Sequence, residues 1–367
     1  MMYEKQGYRI ASFNIEKFGD KSVEFRNGKS GRKDLTTISE IIKTNQIDII
    51  AIQEISHQYA LKALIEKLSS QPAKEIRPSA KSNLTRDVYG YTTSTWEGRW
   101  AKPASNYSDR AAEGYAFVWN RRRIKLVTNY AGESFEPRIG FNLRHGKLVR
   151  PPFIGRFMPI NARYEFRIIN MHFAWEKPVN ETDHDIEETV DESSKVLREQ
   201  ELQTVFDTVY TSLAKQQYDV NNIDKNARPL APYTFLLGDY NLNLPGKGMG
   251  AKMSQELSEY KCGDLKIVTV NGELTTLKRV PKDPQKAEKL RNDPNPQKHL
   301  ANNYDHFSYD QKRLITKDIA EPMVFVVAAY EEYRSNEADH QEKFDIYREK
   351  ISDHLPVVLD VDIRKKR

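Results

Sequence analysis

Two carboxylates, an aspartate with two amides and two histidines stand at the ends of short apolar runs in this sequence, and together they have the makings of phosphoryl chemistry. Glu54 and Asp353 are hard oxygen donors, and Asn14, Asp239 and Asn241 are of the right type to join or orient them. A set without thiolates and poor in imidazole suits Mg²⁺ or Mn²⁺ better than Zn²⁺. Such an ion takes one or two carboxylates and leaves its remaining places to water and phosphate oxygens, where it stabilises the charge of an in-line displacement. His172 and His354 titrate near neutrality, so each can give or take a proton when a phosphodiester is cleaved. An imidazole in that role needs a carboxylate to set its tautomer, and Glu113 and Asp305 are the candidates. Singly, each residue is as well explained by a salt bridge or a structural histidine. The combination points to one pocket.

Five short segments carry these groups: Tyr8 to Asn14, Ile49 to Glu54, Phe166 to His172, Thr234 to Asn241 and Ser352 to Leu359. Runs this rich in Ile, Val, Leu and Phe read as buried strands. In four of them the polar group ends the strand, and in the last it precedes it. Strand ends are where a rigid sheet holds functional loops. Apolar periodicity predicts helices over about Leu35 to Asn45, Tyr59 to Leu68 and Glu192 to Leu213. Further strands read at Gly114 to Trp119, Phe153 to Met158, Arg163 to Met171, Leu265 to Val270 and Phe325 to Ala329. The stretch from Leu68 to about Trp100 reads as a polar region and Pro281 to Asn303 as a long loop. Glu331 to Glu349 reads as a charged helix. Neither a repeat nor a linker-like break divides the chain, so residues 1–367 read as one mixed α/β domain.

The net charge of +5 is unevenly spread. Arg121, Arg122, Arg123 and Lys125 form one basic cluster, and Arg144, Lys147, Arg150 and Arg156 a second. Between Lys278 and Lys298 seven Lys or Arg face three acids. Such clusters are either solvated surface or footprints for a phosphate-rich partner. Glu181 to Glu192 holds seven carboxylates without a Lys or Arg and reads as a solvated loop. No run approaches the roughly 18 apolar residues that cross a bilayer. A single cysteine, Cys262, excludes an internal disulfide, and no charged-then-apolar leader precedes Tyr8. These features predict a cytoplasmic protein without a membrane partner.

The motifs occur in the order of the endonuclease/exonuclease/phosphatase superfamily, and the chain resembles its DNase I-like branch over nearly its whole length. They are the strand to Asn14, Gln53-Glu54, Glu113 to Trp119, Met171-His172, Gly238-Asp239-Tyr240-Asn241, Tyr304-Asp305 and Ser352-Asp353-His354-Leu355-Pro356-Val357. The resemblance implies a four-layer α/β/β/α sandwich of two mixed β-sheets, with insertions near 176–192, 278–303 and 331–349. It implies a Mg²⁺- or Mn²⁺-dependent endonuclease that hydrolyses DNA, double-stranded in that branch. Glu54 and Asn14 resemble the residues at the ion, and Asp353 the carboxylate beside the second histidine. Asp239 and Asn241 resemble the pair that orients the nucleophile, and His172 and His354 the acid/base pair supported by Glu113 and Asp305. Arg150 resembles an arginine on the DNA backbone. Ala111 stands where that branch has a minor-groove tyrosine, so the groove contact falls to Arg110, Tyr107 or Trp100. A phosphoesterase for phosphoinositide, sphingomyelin-type or other small phosphate esters is the alternative: His172 departs from the exonuclease III-like pattern, Leu242 and His306 from the inositol-polyphosphate phosphatases.

Overall fold

Apolar runs with few charged interruptions build sheet interiors, and here they build two. A computed structural model describes residues 4–19, 33–76, 88–103, 113–129, 133–140, 148–162, 164–173, 197–216, 231–244, 251–270, 273–279, 281–314, 322–330 and 340–365. The chain first lays down β1 (Glu4–Phe18), β2 (Ile49–Ile55), β3 (Lys74–Ile76), β4 (Val88–Thr92), β5 (Trp96–Ala101) and β6 (Tyr115–Asn120). It then crosses to a second sheet with β7 (Ile124–Leu126), β8 (Arg138–Ile139), β9 (Phe153–Pro159), β10 (Tyr164–His172), β11 (Ala231–Asp239), β12 (Glu259–Cys262), β13 (Leu265–Val270) and β14 (Asp305–Asp310). The chain returns to the first sheet with β15 (Met323–Val326) and β16 (Val357–Lys365). The strand orders are β15-β16-β1-β2-β6-β5-β4-β3 and β12-β13-β14-β11-β10-β9-β7, with β8 also on β9.

Each sheet is mixed around one parallel pair, β1 with β2 and β10 with β11, flanked by antiparallel neighbours. A parallel pair brings two C-terminal strand ends to one edge, and its antiparallel flanks begin at that same edge. Asn14 therefore lies where β1 loses its register with β2, and Glu54 lies at the end of β2. His172 and Asp239 close β10 and β11, directly opposite each other, and Asp305 opens β14 opposite Asp239. Glu113 and His354 stand just before β6 and β16. The topology alone gathers the chemistry at one rim.

Between the sheets lies an aromatic-rich core that includes Phe117, Phe153, Phe157, Phe166 and Phe235. Phe117 stacks on Phe153 at 5.0 Å between ring centroids and meets Phe157 edge-on. The outer face of the first sheet is covered by α1 (Leu35–Thr44) and α2 (Gln58–Ser69) through Ile38, Ile41, Ile42, Leu61, Leu64 and Ile65. The outer face of the second is covered by α3 (residues 197–215) through Leu202, Val205, Phe206 and Val209. Helix, sheet, sheet, helix: the fold is the four-layer α/β/β/α sandwich. Further helices are α4 (Ala251–Ser258), α5 (Pro284–Arg291) and α6 (His340–Lys350).

Two expectations fail. The region before Trp100 holds β3 to β5, a meander paired onto β6. Gly90 and Gly98 interrupt its apolar pattern, and at Gly98 the reason is close packing: a Cβ there would come within 2.8 Å of the Phe117 carbonyl and 2.9 Å of Leu61 and Ile65. Pro281 to Asn303 is likewise not all loop, since α5 occupies its middle. Only Ala287 of α5 is buried, so no apolar stripe announces it. Its signal is at the start, where Asp283 accepts the N–H groups of Gln285 and Lys286 and Pro284 follows. Residues 176–192, with the acidic run, lie outside the described residues, as does 331–339.

Candidate active site

Asn14 is the hub of the rim. Its fully buried amide donates to Glu54 Oε1 and to Asp239 Oδ2, each at 3.0 Å, and so joins the two sheets. Glu54 has a left-handed backbone, φ 59°, and its Oε2 accepts the Lys17 N–H at 3.1 Å. Asn241 is also left-handed, φ 50°; its N–H donates to Asp239 Oδ1 at 2.8 Å and its Nδ2 to the Phe173 carbonyl at 2.9 Å. Non-glycine residues hold such backbones only where their surroundings impose them, and they gather at functional sites.

The two histidines converge on one atom. Asp239 Oδ2 lies 3.6 Å from His172 Nε2 and 3.5 Å from His354 Nε2. Behind each ring stands a second carboxylate: Glu113 Oε2 at 2.9 Å from His172 Nδ1, and Asp305 Oδ2 at 2.8 Å from His354 Nδ1. Asp353 Oδ1 lies 3.9 Å from His354 Nε2. Burial alone would raise the Glu113 carboxyl, but His172 and Arg150 outweigh it and bring the pKa down to about 2. Burial and Arg150 disfavour the His172 cation, yet Glu113 and Asp239 leave its pKa raised. For His354, burial is overcome by Asp305, Asp239 and Asp353, which hold the imidazole well above its ordinary value.

The profile of the endonuclease/exonuclease/phosphatase family matches residues 11–354. The chain belongs to this family. The endonuclease/exonuclease/phosphatase family is one of phosphoester hydrolases, and that is the coarse activity membership carries here. Among solved structures, ANGEL2, a 2′,3′-cyclic phosphatase solved in complex with adenosine-2′,3′-vanadate, superposes with a TM-score of 0.51 at 10% identity, over 99% of this chain and 99% of that one. A family protein from Bacteroides thetaiotaomicron gives 0.47 at 14% identity, over 98% and 99% of the two chains. TDP2 from Caenorhabditis elegans gives 0.47 at 13%, over 97% and 74%. At these identities the likeness is one of fold. No curated protein sequence matches the chain.

Members of the endonuclease/exonuclease/phosphatase family typically depend on a divalent metal, and the donors here fit one. Asn14 Oδ1 is buried without a hydrogen-bond partner, a cost that an ion would remove. Next to it, Glu54, Glu113 and His172 bring ligand atoms within 4.8 Å of one another, as do Asp239, Asp305 and His354. The oxygen-rich half, Asn14 with Glu54, matches a hard cation. Lys33 feels the carboxylates of Glu16, Asp353 and Glu54, although burial pushes its own pKa down.

The other residues expected at the site are placed less simply. Arg150 is turned inward, its Nη2 3.0 Å from Glu113 Oε2 and its Nη1 donating to the His172 carbonyl at 3.2 Å. Trp100 is buried and donates its indole N–H to the Ile55 carbonyl at 2.8 Å, so it is no groove side chain. Arg110, Tyr107 and Ala111 lie outside the described residues. The Arg121 cluster is at the far end of β6 from Glu113. There Arg121 pairs with Glu97, and Arg123 with Asp48 and the Gly7 carbonyl. Arg156, from the second cluster, pairs with buried Glu165.

Several supporting residues escaped sequence reasoning. Ser352 Oγ donates to the Asn14 carbonyl at 2.6 Å and accepts the N–H of His354 at 3.0 Å. Thr275 Oγ1 accepts the N–H groups of Tyr304 and Asp305, fixing the start of β14. Tyr115 accepts the His172 N–H through its hydroxyl at 3.1 Å. Below the rim, Gln53 Nε2 donates to Asn170 Oδ1 at 2.7 Å and ties one sheet to the other. Ser352 and Gln53 stand inside the family motifs, but a hydroxyl or amide in a strand acquires meaning only with its partner.

Proposed function

We propose that this protein is a divalent-cation-dependent phosphodiesterase that hydrolyses DNA. One observation carries the reading: His172 and His354, each backed by its own carboxylate, converge on Asp239 Oδ2 at 3.6 and 3.5 Å. Hydrolysis of a phosphodiester needs one proton taken from the attacking water and another delivered to the leaving oxygen. Two imidazoles that meet at one anchor can do both. Glu113 and Asp305 keep the Nδ1 proton in place, so that each Nε2 faces the reacting atoms. Asp239 and Asn241 orient the nucleophile and the phosphoryl oxygens. Glu54 and Asn14 would hold Mg²⁺ or Mn²⁺, with Asp353 completing the acidic rim on the His354 side. Bound there, the cation supplies charge neutralisation at a phosphoryl oxygen. Arg150, with His172, keeps Glu113 ionised, and so helps hold the Glu113–His172 pair in place.

DNA as substrate is supported by the basic segment from Lys278 to Lys298, which is fastened beside Asp353. The Leu277 N–H donates to the Asp353 carbonyl at 2.8 Å, and Arg348 donates to the Leu277 and Lys278 carbonyls. The test is nicking of supercoiled plasmid with Mg²⁺ and with chelator. Metal-dependent nicking is expected. Turnover of a phosphoinositide or sphingomyelin without nicking would move the substrate to a small or lipid-borne phosphate ester.

A further inference from the structure

Among the described residues, no helix covers the outer face of the first sheet to its end. α2 lies over it through Leu61, Leu64 and Ile65, but α2 begins only at Gln58. Beyond that start the face finishes in Tyr89 and Trp100, direct cross-strand partners on β4 and β5 with ring centroids 5.7 Å apart. His57 lies 6.4 Å from Trp100 and 4.9 Å from Tyr59. Its Nδ1 accepts the Tyr59 N–H, which caps α2 and holds the ring in place. Trp100 is the buried floor of this run, whereas Tyr59 is 51% exposed and Tyr89 36%. Large exposed rings are uncommon, and two of the four large exposed hydrophobic side chains in the described residues are here.

The aromatic run adjoins the catalytic rim. Ile55, whose carbonyl accepts the Trp100 N–H, follows Glu54; its own N–H donates to the carbonyl of Gly114, which follows Glu113. On the opposite flank, across β1 and β16, stands the basic segment with Lys286, Lys289 and Arg291 on α5. A substrate crossing the rim therefore meets aromatic faces on one side and cations on the other. A single nucleic-acid strand matches both, because every base has a face to stack and every linkage a charge to neutralise. We infer that His57, Tyr59 and Tyr89, floored by Trp100, form a stacking platform for an unpaired nucleobase of the strand whose phosphate lies at the rim.

This inference rests on the phosphodiesterase reading for the position of the phosphate, but base stacking is measurable without turnover. The probe is a short single-stranded oligonucleotide carrying 2-aminopurine, bound to the wild type and to Tyr59→Ala, Tyr59→Phe and Tyr89→Ala in the presence of Ca²⁺ in place of Mg²⁺. Stacking predicts quenched fluorescence in the wild type and in Tyr59→Phe. It predicts weaker quenching and about tenfold weaker binding in the two alanine variants. On an oligonucleotide of abasic residues the wild type and Tyr59→Ala should bind within about twofold of each other. Equal quenching in the wild type and both alanine variants overturns the platform, as does an equal loss on normal and abasic strands. Quenching that follows this pattern in a protein that nicks no DNA would retain the platform and sink the nuclease reading alone.

Discussion

His306 and Asp305 are neighbours in sequence and opposites in chemistry. Asp305 turns its carboxylate to His354, whereas His306 is fully buried with Nε2 on the Leu242 carbonyl at 2.8 Å. Burial pushes the His306 imidazole down to about 4. The unfolded chain binds that proton near pH 6.5, so the neutral ring's contribution to stability is complete above about 6.5 and is lost as pH falls towards 4. Between pH 6.5 and 5 this one group should cost about 2 kcal/mol. Urea denaturation of the wild type and His306→Gln across that range checks it: the difference in stability between them should shrink by that amount, and a constant difference would refute the assignment. At this scale the sequence was readable where a polar residue ends an apolar run, as at Asn14, Glu54, His172 and Asp239. It was silent on Thr275 and Ser352, whose hydroxyls matter only through backbone groups brought to them by other strands.

Elements explain why such distant residues meet. Two parallel pairs put four strand ends at one rim, and β14 and β16 bring Asp305 and His354 to it from the antiparallel side. Strands with uninterrupted apolar runs could be read directly. β4 and β5 could not, because Gly90 and Gly98 interrupt their apolar pattern, Gly98 where α2 and the Phe117 carbonyl approach too closely for a Cβ. α5 was missed for the opposite reason: it buries almost nothing and is held by its Asp283 cap and by the packing of its segment on α6, where His299 stacks on Phe344 at 4.5 Å. If the protein acts on DNA as proposed, the cations of this little-buried helix meet the DNA phosphates. Replacing Lys286, Lys289 and Arg291 by glutamine should weaken DNA binding and lower the slope of log affinity against log salt by about one for each phosphate that is no longer neutralised. An unchanged slope would leave α5 as solvated surface.

Across the whole molecule, the sandwich works as two half-sites pressed together. The first sheet brings Asn14, Glu54 and Glu113; the second brings His172, Asp239 and Asp305; and the chain's return to the first sheet adds Asp353 and His354. The hydrogen bonds from Asn14 to Asp239 and from Gln53 to Asn170 hold the halves in register. No helix among the described residues is long and apolar enough to cross a membrane. The four layers followed from the family resemblance that the motifs carry, whereas the ion pairs of Arg121, Arg123 and Arg156 did not, since their partners Glu97, Asp48 and Glu165 lie far from them in sequence or on other strands. In the proposed reaction two separately supported imidazoles share proton transfer at one phosphate. Its most direct measurement is the pH–rate profile of phosphodiester hydrolysis with saturating Mg²⁺ for the wild type, His172→Ala and His354→Ala. We expect a bell-shaped wild-type profile and, in each variant, the loss of one limb with a fall in kcat of about 10²- to 10⁴-fold. A variant that keeps both limbs and stays within about tenfold of the wild type would contradict it.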